Sequence, residues 1–272
     1  MKPQPVGAID AWINPNLGED LAADRDVDYL FSHLNALKKR GTSLAQMLEE
    51  MEKAGVEKGV LCAGYGDVDD VPWVNKSIET YPDKFVGSIV IDPRKGMESV
   101  RRIETLVKDY DYRLVRLLAF DAQLPYDHAA YYPIYAKCAE LGVPVGVNVG
   151  IPGPKVPGRV QDPITLDTVC HFFPELTMVM SHGGDPWAAL CVKLMLKWKN
   201  LYYMTSAFAP KYLPLEIVKY MNSRGDGKIM WASDYPLLTF DRCTAEVNEL
   251  EFRTQQHYEN FIRNTAQKLF FS

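Results

Sequence analysis

Apolar residues gather along this chain in short continuous runs, and eight such runs recur. They are VGAIDAWI (6–13), KGVLCAG (58–64), KFVGSIVI (84–91), YRLVRLLAF (112–120), VPVGVNVG (143–150), LTMVMSHGG (176–184), LYYMTSA (201–207) and KIMWASDYP (228–236). Their cores do not alternate with polar residues, the pattern of strands covered on both faces in a parallel sheet. Between most of them lie stretches with apolar positions at helical spacing. Examples are SLAQMLEEMEKAG (43–55), MESVRRIETLVKDY (97–110), YYPIYAKCAELG (131–142) and WAALCVKLMLKW (187–198). Gly55 and Gly142 stand where helix C-caps are expected.

Eight strand–helix units in one chain of 272 residues predict an α/β fold, a closed (β/α)8 TIM-barrel in a single domain spanning 1–272. An open doubly wound sheet is the alternative. It would show fewer strands and a glycine-rich phosphate turn after the first, and AWINPN is no such turn. One segment breaks the rhythm, since residues 16–42 separate the first strand from its helix. GEDLAADRD is acidic and VDYLFSHLNALKKRG (27–41) reads as a short amphipathic helix. In a barrel this insertion emerges at the C-terminal mouth. Two readings stand: a lid over the pocket, or a packing or dimer-contact helix.

Composition narrows the partners. A net charge of -5 argues against nucleic acid and anionic membranes, which call for a basic face. No apolar run approaches the roughly 18 residues that span a bilayer. MKPQPVGAID lacks the apolar core of a signal peptide, so a cytoplasmic protein is expected. Cys62, Cys138, Cys170, Cys191 and Cys243 are scattered, odd in number and without a CxxC pair, and read as reduced, buried thiols.

In such a barrel, function sits at the C-terminal ends of the strands. The polar residues there are Asp10, Trp12 and Asn14 at alternating positions on the first strand, Arg116 on the fourth and Asn148 on the fifth. His182 follows on the sixth, Thr205 and Ser206 on the seventh, and Asp234 on the eighth. Arg116 ends an otherwise apolar strand and needs an anion, either a substrate carboxylate or an internal acid such as Asp10. Lys155 and Arg159, in the loop PGPKVPGR after the fifth strand, are further candidate anion contacts. Trp12 offers a flat face for a ring to stack on, or merely fills space. His171 reads as a helix residue and His128 as ordinary loop polarity.

His182 within Ser181–Gly184 (SHGG), Asp234 within Ser233–Pro236 (SDYP), Asp10 and the final NTAQKLF (264–270) together resemble the amidohydrolase superfamily. The similarity is to its amidohydrolase-related branch. That branch holds aminocarboxymuconate-semialdehyde-type and resorcylate-type decarboxylases, 2-pyrone-4,6-dicarboxylate lactonases and some hydratases. Metal-bearing members have D-x-H-x-H on the first strand and a histidine ending the fifth. Here those positions read Asp10-Ala11-Trp12-Ile13-Asn14 and Asn148, so the resemblance implies a site without metal or other cofactor. By the precedent of the lactonases it implies Asp234 activating water and His182 acting as acid or polariser. The expected function is a metal-independent hydrolase of a small cyclic or aromatic carboxylate-bearing substrate. Arg116, Trp12, Asn14, Asn148, Asp10, Lys155, Arg159 and Ser206 are the candidate substrate contacts. A non-oxidative decarboxylase of an aromatic or dienoic acid is the second expectation, and a catalytically silent binding protein the third. A homodimer is compatible with the resemblance.

Overall fold

The computed structural model describes residues 1–15, 27, 29–30, 41–66 and 69–272. Eight strands form one parallel sheet in chain order: β1 (Ala8–Ile13), β2 (Val56–Ala63), β3 (Phe85–Val90), β4 (Tyr112–Leu117), β5 (Val145–Asn148), β6 (Met178–Ser181), β7 (Leu201–Met204) and β8 (Ile229–Met230). A bridge between Ile13 and Tyr235 joins the end of the sheet to its beginning. The Asn14 N–H donates to the Tyr235 carbonyl at 2.8 Å and the Asp234 N–H to the Trp12 carbonyl at 3.1 Å. The sheet is therefore a barrel, as the eight apolar runs predict.

Helices α1 (Leu44–Ala54), α2 (Val71–Thr80), α3 (Met97–Asp109), α4 (Tyr132–Leu141), α5 (Thr165–Phe172), α6 (Ala188–Lys197), α7 (Leu215–Met221) and α8 (Phe240–Glu249) follow the strands in turn. The ends of α1 show why the boundaries were readable. Ser43 caps it in a reciprocal box with Gln46, and Gly55 ends it at φ 72°, where its N–H reaches back to Glu52 and Met51 carbonyls. Gly142 closes α4 in the same way at φ 67°. Most of the 16–42 insertion expected as a lid lies outside the described residues. Of that segment Val27, Tyr29, Leu30, Gly41 and Thr42 are described. Among the described residues no helix is long and apolar enough to cross a membrane.

Two apolar layers result. Ile9, Ala11, Val60, Cys62, Val86, Leu114, Val179, Met204 and Met230 fill the barrel, with Ala266 and Phe270 of the last helix against them. A larger layer joins sheet to helices and includes Ala8 and Ile13. Strict alternation from Ile9 and Ala11 would turn Trp12 outward, yet Trp12 belongs to the inner layer. The β1–β2 register shifts between Asp10 and Ile13, and that irregularity changes the phase of the strand. Asp10 and Trp12, both candidate contacts at alternating positions, therefore do not face the same way. Asp10 stays in phase with Ala8, away from the interior, while Trp12 turns in.

Asp10 instead clasps the seam between β1 and the segment after β8. Its carboxylate accepts from the Trp12 N–H at 2.9 Å, the Ser233 N–H at 3.0 Å and the Ser233 hydroxyl. It is fully buried. Burial raises its pKa to about 7 against the opposing pull of those donors, with the Asp234 charge adding to the rise. In the unfolded chain the group titrates near 4. The folded protein therefore holds a proton that the unfolded chain has released across the window from pH 4 to pH 7. This contribution to stability is complete below pH 4 and is lost as pH rises through 7. Asp10→Asn mimics the neutral acid, keeping the acceptor for two N–H groups and a donor for Ser233. In urea unfolding the stability of the variant relative to the parent is expected to rise from pH 5 to pH 8, the gain accruing across the window from pH 4 to pH 7. An unchanged difference between the two pH values would exclude an acid held neutral at the seam.

Candidate active site

Strands β6, β7 and β8 are each followed within a few residues by a side chain on left-handed backbone. These are His182 (φ 63°), Ala207 (φ 66°) and Asp234 (φ 67°). Residues other than glycine adopt this region at a cost of roughly 1–2 kcal/mol. All three line one cavity of about 600 Å³. Gly183 explains the glycine after His182, because a Cβ there would meet the Phe208 ring at 2.0 Å and Phe208 is a cavity wall.

Arg116, Trp12, Asn148, His182 and Asp234 contribute polar and aromatic lining to the cavity, with apolar walls that include Leu118, Phe120 and Val149. Trp12 organises this group. The Arg116 guanidinium lies 4.2 Å from the centre of its ring, and the His182 ring meets it edge-on at 4.6 Å. Arg116 is 2% exposed and also donates to the Ala63 carbonyl at 3.4 Å. Burial raises the pKa of Asp70, and the nearby charge of Arg116 opposes that rise. The buried carboxylate that shares the arginine's field on this side is thus Asp70. Among the described residues Asp10, suggested as its partner, forms no ion pair with it, being held by Ser233 instead.

Two predicted contacts stand behind the cavity lining. Asn14 donates from Nδ2 to Asp234 Oδ1 at 2.7 Å and to the Tyr235 carbonyl at 2.9 Å, while its Oδ1 accepts from Trp12 Nε1 at 3.1 Å. Ser206 is fully buried, its hydroxyl 2.9 Å from His182 Nδ1. Both orient a neighbour. Asn148 does line the cavity, with its Oδ1 3.0 Å from the Ser181 hydroxyl.

Other expected contacts lie elsewhere. Asp10 is sealed in the seam. Lys155 and Arg159 are exposed, and neither lines the cavity, with Lys155 lying 5.6 Å from the Tyr29 ring. Their loop does overhang the mouth, but through Ile151, Pro152 and Pro154. A proline- and glycine-rich chain here turns its backbone and apolar atoms inward and its long cations to solvent. His128 is exposed and caps a turn at Ala130, and His171 lies exposed on α5, as read. Tyr65, Gln161, Phe208 and Arg242 line the cavity and were missed. Tyr65 and Phe208 each lie one residue past an apolar run, a signal available in the sequence. Gln161 and Arg242 lie deep in loops or on α8 and had none.

The fold is a TIM barrel with its cavity at the C-terminal ends of the strands. The chain belongs to the amidohydrolase family, whose model matches residues 9–271. Among solved structures it is similar to an uncharacterised TIM-barrel protein from Bordetella bronchiseptica, at 23% identity and a TM-score of 0.82, covering 96% of this chain and 97% of that one. It is similar to 5-carboxyvanillate decarboxylase from Sphingomonas paucimobilis, at 14% identity and 0.74, covering 98% and 99%. A third is a dihydroxybenzoic acid decarboxylase from Polaromonas sp. JS666, with bound manganese and 2-nitroresorcinol, at 15% identity and 0.74, covering 98% and 97%. No curated protein matches the chain by sequence.

Manganese takes carboxylate, imidazole and water ligands. Among the described residues no group of three His, Cys, Asp or Glu converges anywhere. Around Asp234, the Asn14 amide presents hydrogens, the Trp12 face has no lone pair, and Arg116 brings positive charge. This set does not fit a divalent ion. Protein dialysed against excess manganese or zinc and then desalted is expected to carry well under one equivalent by elemental analysis. Stoichiometric retention would overturn that expectation.

Proposed function

We propose that this chain is a non-oxidative carboxy-lyase for a small aromatic or dienoic acid, working without a metal. The observation that carries the reading is Arg116, a buried cation on a tryptophan face in an apolar-walled cavity shared with His182 and Asp234. Such a cavity takes a flat acid, and a guanidinium binds a carboxylate through paired donors. The two decarboxylases of aromatic acids among the similar folds support the choice. This places the hydrolase, put first on the sequence alone, second.

In the proposed reaction Arg116 holds the substrate's carboxylate or a neighbouring ring oxygen. Asp234 delivers a proton to the carbon that bears the carboxylate, and His182 polarises a substrate oxygen. The carbon–carboxylate bond then breaks, its electron pair returns to the π system, and carbon dioxide leaves. One proton is consumed per turnover and is restored to Asp234 from solvent.

A metal-independent hydrolase remains the second reading, favoured by one contact. Asn14 donates to Asp234 Oδ1 at 2.7 Å and holds the carboxyl group in place, so its other oxygen can serve as a general base on water. Carboxyl-labelled 2,6-dihydroxybenzoate, 5-carboxyvanillate and a set of cyclic lactone acids, followed by ¹³C NMR, separate the readings. Released labelled carbon dioxide supports the lyase, ring opening with added water supports the hydrolase, and shifts without turnover support a silent binding protein. On the acid that turns over, Asp234→Asn and His182→Asn are each expected to lower kcat by at least about 10²-fold, the scale of a lost proton transfer. Near-parental turnover in both folded variants would remove the two residues from the chemistry.

A further inference from the structure

Trp12 and Asn14 stand in a chain of donors that ends on Asp234. An indole nitrogen donates and never accepts. The group 3.1 Å from Trp12 Nε1 must therefore be the oxygen of the Asn14 amide, which leaves the Asn14 NH₂ to face Asp234 Oδ1 at 2.7 Å and the Tyr235 carbonyl at 2.9 Å. The amide has one orientation only, because turning it over would set its NH₂ against the indole N–H and its oxygen against two acceptors. Trp12, Asn14 and Asp234 are 3%, 7% and 4% exposed, so water does not compete well for these bonds.

We infer that Trp12 and Asn14 are positioning residues that hold Asp234 Oδ1 as a fixed acceptor and leave Oδ2 as the oxygen that exchanges a proton with substrate or water. The inference rests on the proposed role of Asp234, and serves lyase and hydrolase alike. It also gives Trp12 a task distinct from stacking. The ring's face and edge meet Arg116 and His182, while its N–H acts through Asn14 on the carboxylate. The two tasks are separable, since phenylalanine keeps a ring and loses the N–H.

Among the described residues, Asp10 on β1 and Cys62 on β2 lie within the field of Asp234, and Arg116, His182, Asp185, Arg242, Tyr65, Tyr29 and Tyr212 line the same cavity. Among the described residues the only hydrogen bond to either carboxylate oxygen of Asp234 comes from Asn14. The relay is therefore the dominant local constraint on that side chain.

The test needs no substrate in its first arm. In ¹⁵N-labelled protein, the Trp12 indole and Asn14 side-chain amide signals are assigned by their loss in Trp12→Phe and Asn14→Ser. Asp234→Asn is then expected to move the Asn14 amide signal and, one bond further, the Trp12 indole signal. An indole signal that stays in place while the Asn14 signal moves would overturn the relay. So would an unmoved Asn14 signal. In the second arm, on the acid that turns over, Trp12→Phe is expected to lower kcat about tenfold, the scale of one hydrogen bond, with KM unchanged. A raised KM with parental kcat would make Trp12 a stacking surface and nothing more. If Asp234→Asn keeps parental turnover, the proposed function fails while the substrate-free arm still decides the relay.

Discussion

The seam where the barrel closes is the constraint on which the rest depends. Only two residues of β8 pair with β7 in regular register, so the last strand contributes little ladder to hold the ring shut. Closure falls instead to the residues just beyond it. Ser233 and Asp234 are tied back to β1 by the Asp10 carboxylate and by the Trp12 carbonyl. Buried backbone donors need such partners, and here the acid of β1 supplies them. The same few residues shift the phase of β1 and turn Trp12 inward. Closing the barrel and building the site are thus one event, carried by Asp10, Trp12, Asn14 and the SDYP segment.

That sharing has an electrostatic consequence. Asp10 and Asp234 lie near enough that the charge of Asp234 adds to the rise in the pKa of Asp10. The larger cause is burial, since Asp10 lacks solvent altogether and holds its proton up to about pH 7. Arg116 shows the opposite solution to the same problem. A buried guanidinium is tolerated on an aromatic face, against a carbonyl and within the field of Asp70. The interior is therefore not a neutral apolar plug. It is a layer of Val, Leu and Met below with a fixed positive charge at its top.

Much of this was legible in the chain. The barrel followed from eight continuous apolar runs, because a strand covered on both faces cannot carry polar residues at every second position. The caps at Ser43, Gly55 and Gly142 followed from residue chemistry. Arg116, His182, Asp234, Asn148 and Trp12, singled out because polarity at the end of an apolar strand is conspicuous, all line one cavity. Asp10 was misplaced for a definite reason. Asp10 keeps the outward phase of Ala8, and the register shift between Asp10 and Ile13 brings Trp12, but not Asp10, to the inner layer. Lys155 and Arg159 failed differently, since a loop's position over a mouth does not say which of its atoms face in. The pairings Asn14–Asp234 and Ser206–His182 span 220 and 24 residues, and no local pattern announces contacts that only closure creates.

A guanidinium as the resident charge sets the terms for the chemistry above it. A bound divalent ion offers an open coordination position and acidifies the water in it. Arg116 does neither, because its donors are fixed in a plane and it stays protonated throughout. It can hold an anion and stabilise charge that develops on oxygen, and nothing further. The proton must then be moved by side chains, and in this cavity Asp234 and His182 are the groups at strand ends equipped to move one. Each is set on left-handed backbone and each is backed by a polar partner, Asn14 for Asp234 and Ser206 for His182. Backing of this kind restricts rotation, so a substrate held by Arg116 meets both groups in one arrangement rather than in several. The division of labour follows from the residue types: Arg116 binds, Trp12 and Asn14 orient, and Asp234 and His182 handle protons.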